Sequence, residues 1–323
     1  MVRSFVFSQG KLVSQDIGMD FLKLMLYDED AQLWADIESA SPEETKSVLE
    51  GVFNFHPLAI EDCIAVSERP KVDEYEGYIF LVIHAVDFSH DQQEFCTTEL
   101  NMFIGKNFLV TYHQAPLRSI TTTIERVIKN AASIARAPDR LTYTILDFLL
   151  DNYDPAFEDL SSEIVALEKG ITSDTSVDVL GKVLKLKGEV QRLRQTMAPQ
   201  REVLARLGRG EFKVVRAHML PYYRDLLDRL VRFNEQCDNL REALTNTLQV
   251  HLNVQQMQVN RVIKVLTVLA TLSLPLVAIT SYYGMNFHRF PELDVRYPHA
   301  YVAMLTLLST GFVFVLLKWR KWL

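Results

Sequence analysis

Residues 281–293 read SYYGMNFHRFPEL. Tyr282 and Tyr283 lead into Gly284-Met285-Asn286, and a short stretch of mixed charge follows. The surroundings make this stretch decisive. From Val265 through Phe287 there is no Asp, Glu, Lys or Arg, and from Tyr297 through Leu317 there is again none. Each run meets the requirement of about 20 apolar residues to cross a hydrocarbon core of about 30 Å. Two buried core helices would need a large soluble domain around them, yet only the tail 318–323 follows the second run. The pattern predicts two membrane spans joined by a loop that carries the Gly-Met-Asn triplet.

Charge sets the orientation. Arg261 and Lys264 precede the first run, and Lys318, Arg320 and Lys321 follow the second. In the connecting loop Arg289 and Arg296 are opposed by Glu292 and Asp294. The positive-inside rule then places both termini in the cytoplasm of a multi-pass protein of the inner or plasma membrane, with Trp319 and Trp322 as interface anchors. The opening stretch MVRSFVFSQGKLVSQD lacks a continuous apolar core and a small-residue cleavage site, so a cleaved leader is not expected. Cys63, Cys96 and Cys237 lie far apart with no CxxC pair, which reads as reduced cytosolic cysteine. The average composition of the 323 residues, 48% hydrophobic and 23% charged with a net charge of −7, conceals this division.

The first part of the chain predicts a cytoplasmic α/β domain over 1–137. FLKLMLYD (21–28), YIFLVIHAVDF (78–88) and MFIGKNFLVTYH (102–113) have the aromatic and β-branched content of strands. Ser41-Pro42-Glu43-Glu44 is a capping box with Pro at the first helical position, starting a helix through about Phe53, and HPLAIEDCIAV (56–66) predicts a second short helix. After about Leu117 the strands stop. LRSITTTIERVIKNAASIA is helical, and 138–210 predicts a helical hairpin, with a run from Val177 to Leu207 that Pro199 bends or shortens and Gly208-Arg209-Gly210 ends.

From Pro221 to Tyr283 the only further proline is Pro275, and there is no glycine. Leu226, Leu230, Phe233, Cys237, Leu240, Leu244, Leu248 and His251 recur at three- or four-residue steps. One helix here would be about 95 Å long at 1.5 Å per residue. It would comprise a cytoplasmic stalk over 211–264 and a first span over 265–283, and its apolar stripe must pack on other helices. The loop then covers 284–297, the second span 298–317 and a basic cytoplasmic tail 318–323.

Two helices cannot enclose a pathway, whereas several copies can surround an axis. The first span carries Thr267, Ala270, Thr271, Ser273, Ala278, Thr280 and Ser281, small and hydroxyl residues that suit close helix packing or a pore wall. Tyr283-Gly284-Met285-Asn286 at the exit of the first of two terminal spans resembles the CorA family of magnesium transporters. The likeness continues through YGMNF, PEL and the basic KWRKWL, and through HPLAIED (56–62) and RPKVDEYEGYIF (69–80) in the soluble half.

That resemblance implies a funnel-shaped homopentamer in contact with membrane lipids, carrying hydrated divalent cations. Gly284, Met285 and Asn286 would form the selectivity filter, with five Asn286 amides hydrogen-bonding the waters of a Mg²⁺ that dehydrates reluctantly. Helical spacing back from Ser281 gives Val277, Leu274, Ala270, Leu266 or Ile263, and Asn260, one face of a helix that the resemblance assigns to the pore. Val277 stands where relatives can carry a hydroxyl, and the large apolar members would gate by dewetting. Asp225 matches one position of a cytosolic Mg²⁺ sensor. Its usual acidic partner falls near Ser89, with Asp87 and Asp91 close by. Mg²⁺ would be both the transported and the regulatory ion, with Co²⁺ and Ni²⁺ as further substrates. No other cofactor and no nucleic-acid partner are expected.

Two alternatives remain. A zinc-transporting relative could use His84, His218 and His251 as ligands, but they show no metal-ligand spacing. A membrane-tethered enzyme or scaffold predicts a nucleophile–base constellation or a surface motif within 1–260, and the sequence shows neither. There is no GxxxxGK[ST] loop; Gly181-Lys182 lacks the upstream glycine and the following Ser/Thr. The reading is of a transporter, not an enzyme.

Overall fold

The computed structural model describes residues 1–28, 30–65, 69–89, 94–172, 178–285 and 297–322. Two compact units divide the chain, Met1–Thr247 and Leu248–Leu323.

The first unit is built on a seven-stranded sheet in the order β2-β1-β3-β7-β6-β5-β4. Its strands are β1 (Val2–Ser8), β2 (Lys11–Gln15), β3 (Ala31–Glu38), β4 (Lys71–Tyr75), β5 (Tyr78–Ser89), β6 (Glu94–Gly105) and β7 (Phe108–His113). Only β3 and β7 pair in parallel; the other neighbours are antiparallel. The stretch 102–113 therefore divides into two strands around a tight turn at Gly105. A Cβ there would meet the Phe108 ring at 2.3 Å, so only glycine fits beneath that ring.

Ser41 caps α2 (Pro42–Gly51) through the capping box legible in its sequence, its hydroxyl accepting from the Glu44 N–H while Glu44 reaches back. With α3 (Pro57–Ile64) this helix covers one sheet face. Val48, Leu49, Ala59, Ile60 and Cys63 pack there on Ala35, Ile37, Phe80, Val82, Phe103, Val110 and Tyr112. Period-two alternation turns the even-numbered residues of β3 to the other face.

The segment 21–28 is not a strand. Met19–Met25 forms helix α1, whose Leu22, with Met25 and Leu26, packs on Val6, Ala31, Leu33 and Val52. Three contacts at helical spacing outweigh the β-like composition, at the cost of leaving Phe21 and Leu24 exposed.

Four helices follow: α4 (Arg118–Ile134), α5 (Pro138–Asp151), α6 (Tyr153–Thr172) and α7 (Val179–Arg209). Helix α7 continues through Pro199 and stops at Gly210, whose left-handed φ of 75° is the expected glycine cap. Helix α8 then runs unbroken from Leu220 to Tyr283 through Pro275. Its stripe Leu226, Leu230, Phe233, Cys237 and Leu244 is buried within the first unit, Phe233 stacking on Phe157 of α6 at 5.4 Å. The second unit holds the remainder of α8 and helix α9 (Pro298–Trp319). Both helices are long and apolar enough to cross a membrane, and the apolar stretch of each is mostly exposed in the protomer.

Candidate functional site

Within the second unit, α8 has two unlike faces. Val268 is buried and Thr267, Thr271, Leu272, Pro275 and Ile279 are partly covered, a stripe at helical spacing. Beside it Lys264 Nζ donates to the carbonyl of Lys321 beyond the end of α9, at 3.3 Å. Asn260, Ile263, Leu266, Ala270, Leu274, Val277 and Ser281 lie around the helix from that stripe, and all are exposed. Large apolar side chains dominate this exposed set: Leu266 is 66% exposed and Leu274 70%. The positions that the sequence assigned to a pore are therefore mostly apolar and uncovered in one protomer, as are Val262, Val265, Leu269 and Leu276 on the rest of the exposed surface.

Four hydroxyls of the same helix are partnered within it. Thr267 donates to the Ile263 carbonyl at 2.8 Å, Thr271 to Thr267 at 2.7 Å, Ser273 to Leu269 at 2.6 Å and Thr280 to Leu276 at 2.8 Å. Such back-bonding makes a hydroxyl tolerable at membrane depth, because its proton never lacks an acceptor.

At the exit of the span the chain closes on itself. Gly284 N–H donates to the Thr280 carbonyl at 2.9 Å, Met285 N–H points to the Tyr282 carbonyl at 3.4 Å, and the Tyr282 and Tyr283 rings meet edge to face at 5.2 Å. A Cβ on Gly284 would stand 2.9 Å from the Thr280 oxygen, a backbone atom that cannot swing away. Asn286, the third member of the triplet, lies outside the described residues.

Of the three carboxylates assigned to regulation, Asp225 alone has a described side chain. Asp225 is exposed on α8, following Arg224, whose Nε donates to the Gly208 carbonyl at 3.0 Å. Asp87 belongs to β5, opposite Cys96, and its side chain is not among those described; Asp91 lies outside the described residues. The sequence reading missed an acidic group near Asp225. Arg229 bridges Asp147 at 2.7 Å and Asp151 at 2.5 Å, joining α8 to α5. Burial pushes the Asp147 carboxyl above the usual carboxylate range, and Asp151 and Asp225 push the same way against the pull of Arg229. The pairing could have been suspected only from the i,i+4 repeat of Asp147 and Asp151 on one helix face.

Comparison with known proteins agrees with this architecture. Residues 29–319 match the family described as CorA-like Mg2+ transporter protein. The cobalt/magnesium transport protein CorA of Thermotoga maritima is 28% identical over 297 residues, 92% of this chain and 85% of that protein. YfjQ of Bacillus subtilis is 30% identical over 277 residues, 85% of each chain. The complete structure of the CorA magnesium transporter from Methanocaldococcus jannaschii superposes with a TM-score of 0.82 at 20% identity, covering 99% of this chain and 98% of that one. With a family match that takes in five of the seven strands, the long helix and both candidate spans, the chain belongs to the CorA-like Mg²⁺ transporter family and is a divalent metal ion transporter, not an enzyme.

Proposed function

We propose that this protein is a homopentameric channel for passive, membrane-potential-driven uptake of Mg²⁺, and of Co²⁺ and Ni²⁺, closed by cytosolic Mg²⁺. The observation that carries the reading is the exposed face of α8 from Asn260 to Ser281, which leads to the Gly284-Met285-Asn286 exit. Lipid covers an apolar face as well as another helix does, so it is the pathway that calls for copies of α8 around an axis, because two helices enclose none. Five Asn286 amides at the outer mouth would accept the hydrogens of metal-bound water without stripping the ion, and a neutral ring releases a divalent cation that a carboxylate ring would retain. Potential alone drives entry, at about 2.3 kcal/mol per charge per 100 mV, hence about 4.6 kcal/mol for a divalent ion.

On this reading residues 1–137, 138–210 and 211–264 form the cytoplasmic α/β domain, helical hairpin and stalk. Spans over 265–283 and 298–317 flank the extracytoplasmic loop 284–297, and the basic tail 318–323 returns to the cytoplasm. Native mass spectrometry of the detergent-solubilised protein is expected to give a pentamer; a stable monomer or dimer would remove the basis for a central pore. Competitive flux, with Co²⁺ or Ni²⁺ added against Mg²⁺, tests the substrate range. Mutual inhibition is expected, and Mg²⁺ uptake indifferent to both ions would restrict the range.

Feedback is assigned to cytosolic Mg²⁺ near Asp225, bridging neighbouring protomers with Asp87 or Asp91 as the acidic partner. A ligand stabilises the state that binds it by about 2.7 kcal/mol at a hundredfold excess over Kd, so weak sites repeated around a ring dominate gating. Asp225→Ala is expected to keep conduction and to shift inhibition to higher internal Mg²⁺ in excised inside-out patches. An unchanged inhibition curve would make Asp225 an ordinary surface acid.

A further inference from the structure

In the first unit, far along the sequence from the residues assigned to conduction, three adjacent strands bring Arg3, Asp36, Glu38 and His113 together. Asp36 of β3 lies opposite Arg3 of β1 and Thr111 of β7, and Glu38 lies opposite His113. Asp36 is fully buried and His113 is 1% exposed. The Thr111 hydroxyl donates to Asp36 Oδ1 at 2.6 Å and accepts from Trp34 Nε1 at 3.1 Å, which fixes the carboxylate. His113 Nδ1 is 2.7 Å from the Ala115 carbonyl. A carbonyl only accepts, so Nδ1 carries a hydrogen and donates it.

The other ring nitrogen is then the informative atom. Burial disfavours a charged His113 ring, but the Asp36 carboxylate outweighs it and raises the affinity of the ring for a proton. When the ring is neutral, Nε2 presents its lone pair to Asp36 Oδ1 at 3.2 Å, and an ionised carboxylate also only accepts. Two buried acceptors at that distance require a cation between them, either a proton or a metal. Asp36 Oδ2 accepts no hydrogen bond, and its nearest cationic neighbour is Arg3 Nη2 at 3.4 Å. Arg3 also pairs with Glu38. With a neutral imidazole, two carboxylates face one guanidinium, and the cluster has one negative charge in excess.

We propose that Asp36, Glu38 and His113 form a binding site for a first-row transition cation of the Zn²⁺ or Co²⁺ class. Their ligand atoms already lie within 4.8 Å of one another. Tetrahedral ligands about 2.0–2.1 Å from a metal stand roughly 3.4 Å apart, so side-chain rotation closes the shell. The outer partners are those a metal site uses: a carbonyl fixes the imidazole through its other N–H, and a hydroxyl orients the carboxylate. Imidazole selects zinc-like ions, whereas Mg²⁺ prefers an all-oxygen shell with water retained. Arg3 holds the position without metal. Its side chain is 24% exposed, so it can turn into water and leave two carboxylates to neutralise a divalent ion.

The test uses the full-length protein, purified in detergent, stripped with chelator and titrated with Co²⁺. Wild type is expected to develop the intense visible bands of four- or five-coordinate Co²⁺, at one ion per chain and in the presence of excess Mg²⁺. A hydrated ion in the pore stays octahedral and nearly colourless. His113→Gln is expected to abolish the bands, while Asn286→Ala retains them. Arg3→Gln removes the competing cation and is expected to lower the Co²⁺ Kd about tenfold. Octahedral spectra only, bands that survive His113→Gln, or bands erased by Mg²⁺ would overturn the site and leave a proton as the bridging cation. Should His113→Gln fail to fold, Arg3→Gln decides alone: unchanged or weaker binding would contradict displacement of Arg3.

Discussion

Gly284→Ala and Asn286→Ala are each expected to reduce divalent uptake to background while leaving the oligomer intact, for different physical reasons. At Gly284 the obstacle is steric. A methyl group would sit 2.9 Å from the Thr280 carbonyl oxygen, which already accepts the Gly284 N–H. Relief requires the chain to leave the last turn of α8, which would carry the proposed filter out of position. At Asn286 the change removes an acceptor and leaves the backbone free to keep its course, so transport is lost without a change in assembly. Neither substitution touches the buried stripe of α8, and melting temperatures should stay near wild type. The paired measurement is dye-monitored Mg²⁺ uptake beside native mass spectrometry. Asn286→Ala transporting at the wild-type rate would withdraw the filter assignment, and pentamers lost with uptake would reassign Gly284 to assembly.

The second large effect is on stability, in the first unit. Asp139, in the first turn of α5, is 2% exposed. Its carboxylate accepts from Arg216 at the backbone N–H (3.1 Å), Nε (2.8 Å) and Nη2 (2.6 Å), and from the Arg140 N–H at 2.7 Å. The buried Tyr223 hydroxyl donates to the Asp139 carbonyl at 2.8 Å. These bonds tie the start of α5 to the start of α8. Arg216 is the more exposed partner, with 44% of its side chain open, yet removing it is expected to cost more. Asp139→Ala leaves a guanidinium that water can reach and loses charge-assisted bonds, about 2 kcal/mol. Arg216→Ala leaves a buried carboxylate without its counter-ion, about 3–5 kcal/mol. Thermal melts of the two variants and of the double variant check the order. Equal losses would mean that Asp139 is better hydrated than its burial indicates.

How much of this was legible in the sequence depends on the range of each interaction. The two long apolar helices, the capping box at Ser41 and the unbroken α8 follow from local chemistry, and each helix stands where its residues predict, while α7 runs through Gly208 and stops only at Gly210. The segment 21–28 was misread because its composition favours strand, whereas Leu22, Met25 and Leu26 find their partners only when Val6, Leu33 and Val52 arrive from elsewhere. The split of 102–113 into two strands depended on the Phe108 ring folding back over Gly105. At the site, the exposed face of α8 follows from a 3.6-residue repeat. The Arg229 bridge to Asp147 and Asp151, the Asp139–Arg216 link and the Asp36–His113 contact join residues more than seventy positions apart. Periodicity gives two hints and no partner: the i,i+4 repeat of Asp147 and Asp151 on α5, and the polar residues 36 and 38 of β3 alternating with buried Ala35 and Ile37.

In the proposed channel a ring of α8 helices passes divalent cations down the membrane potential. Its most direct test is Mg²⁺ entry into liposomes containing the purified protein and an entrapped Mg²⁺-sensitive dye, with a potassium diffusion potential as the only driving force. Rapid entry is expected with the interior negative, slower entry as the potential approaches zero, and none in Asn286→Ala liposomes. Entry independent of potential, or absent at every potential from vesicles shown to contain the assembled protein, would contradict it.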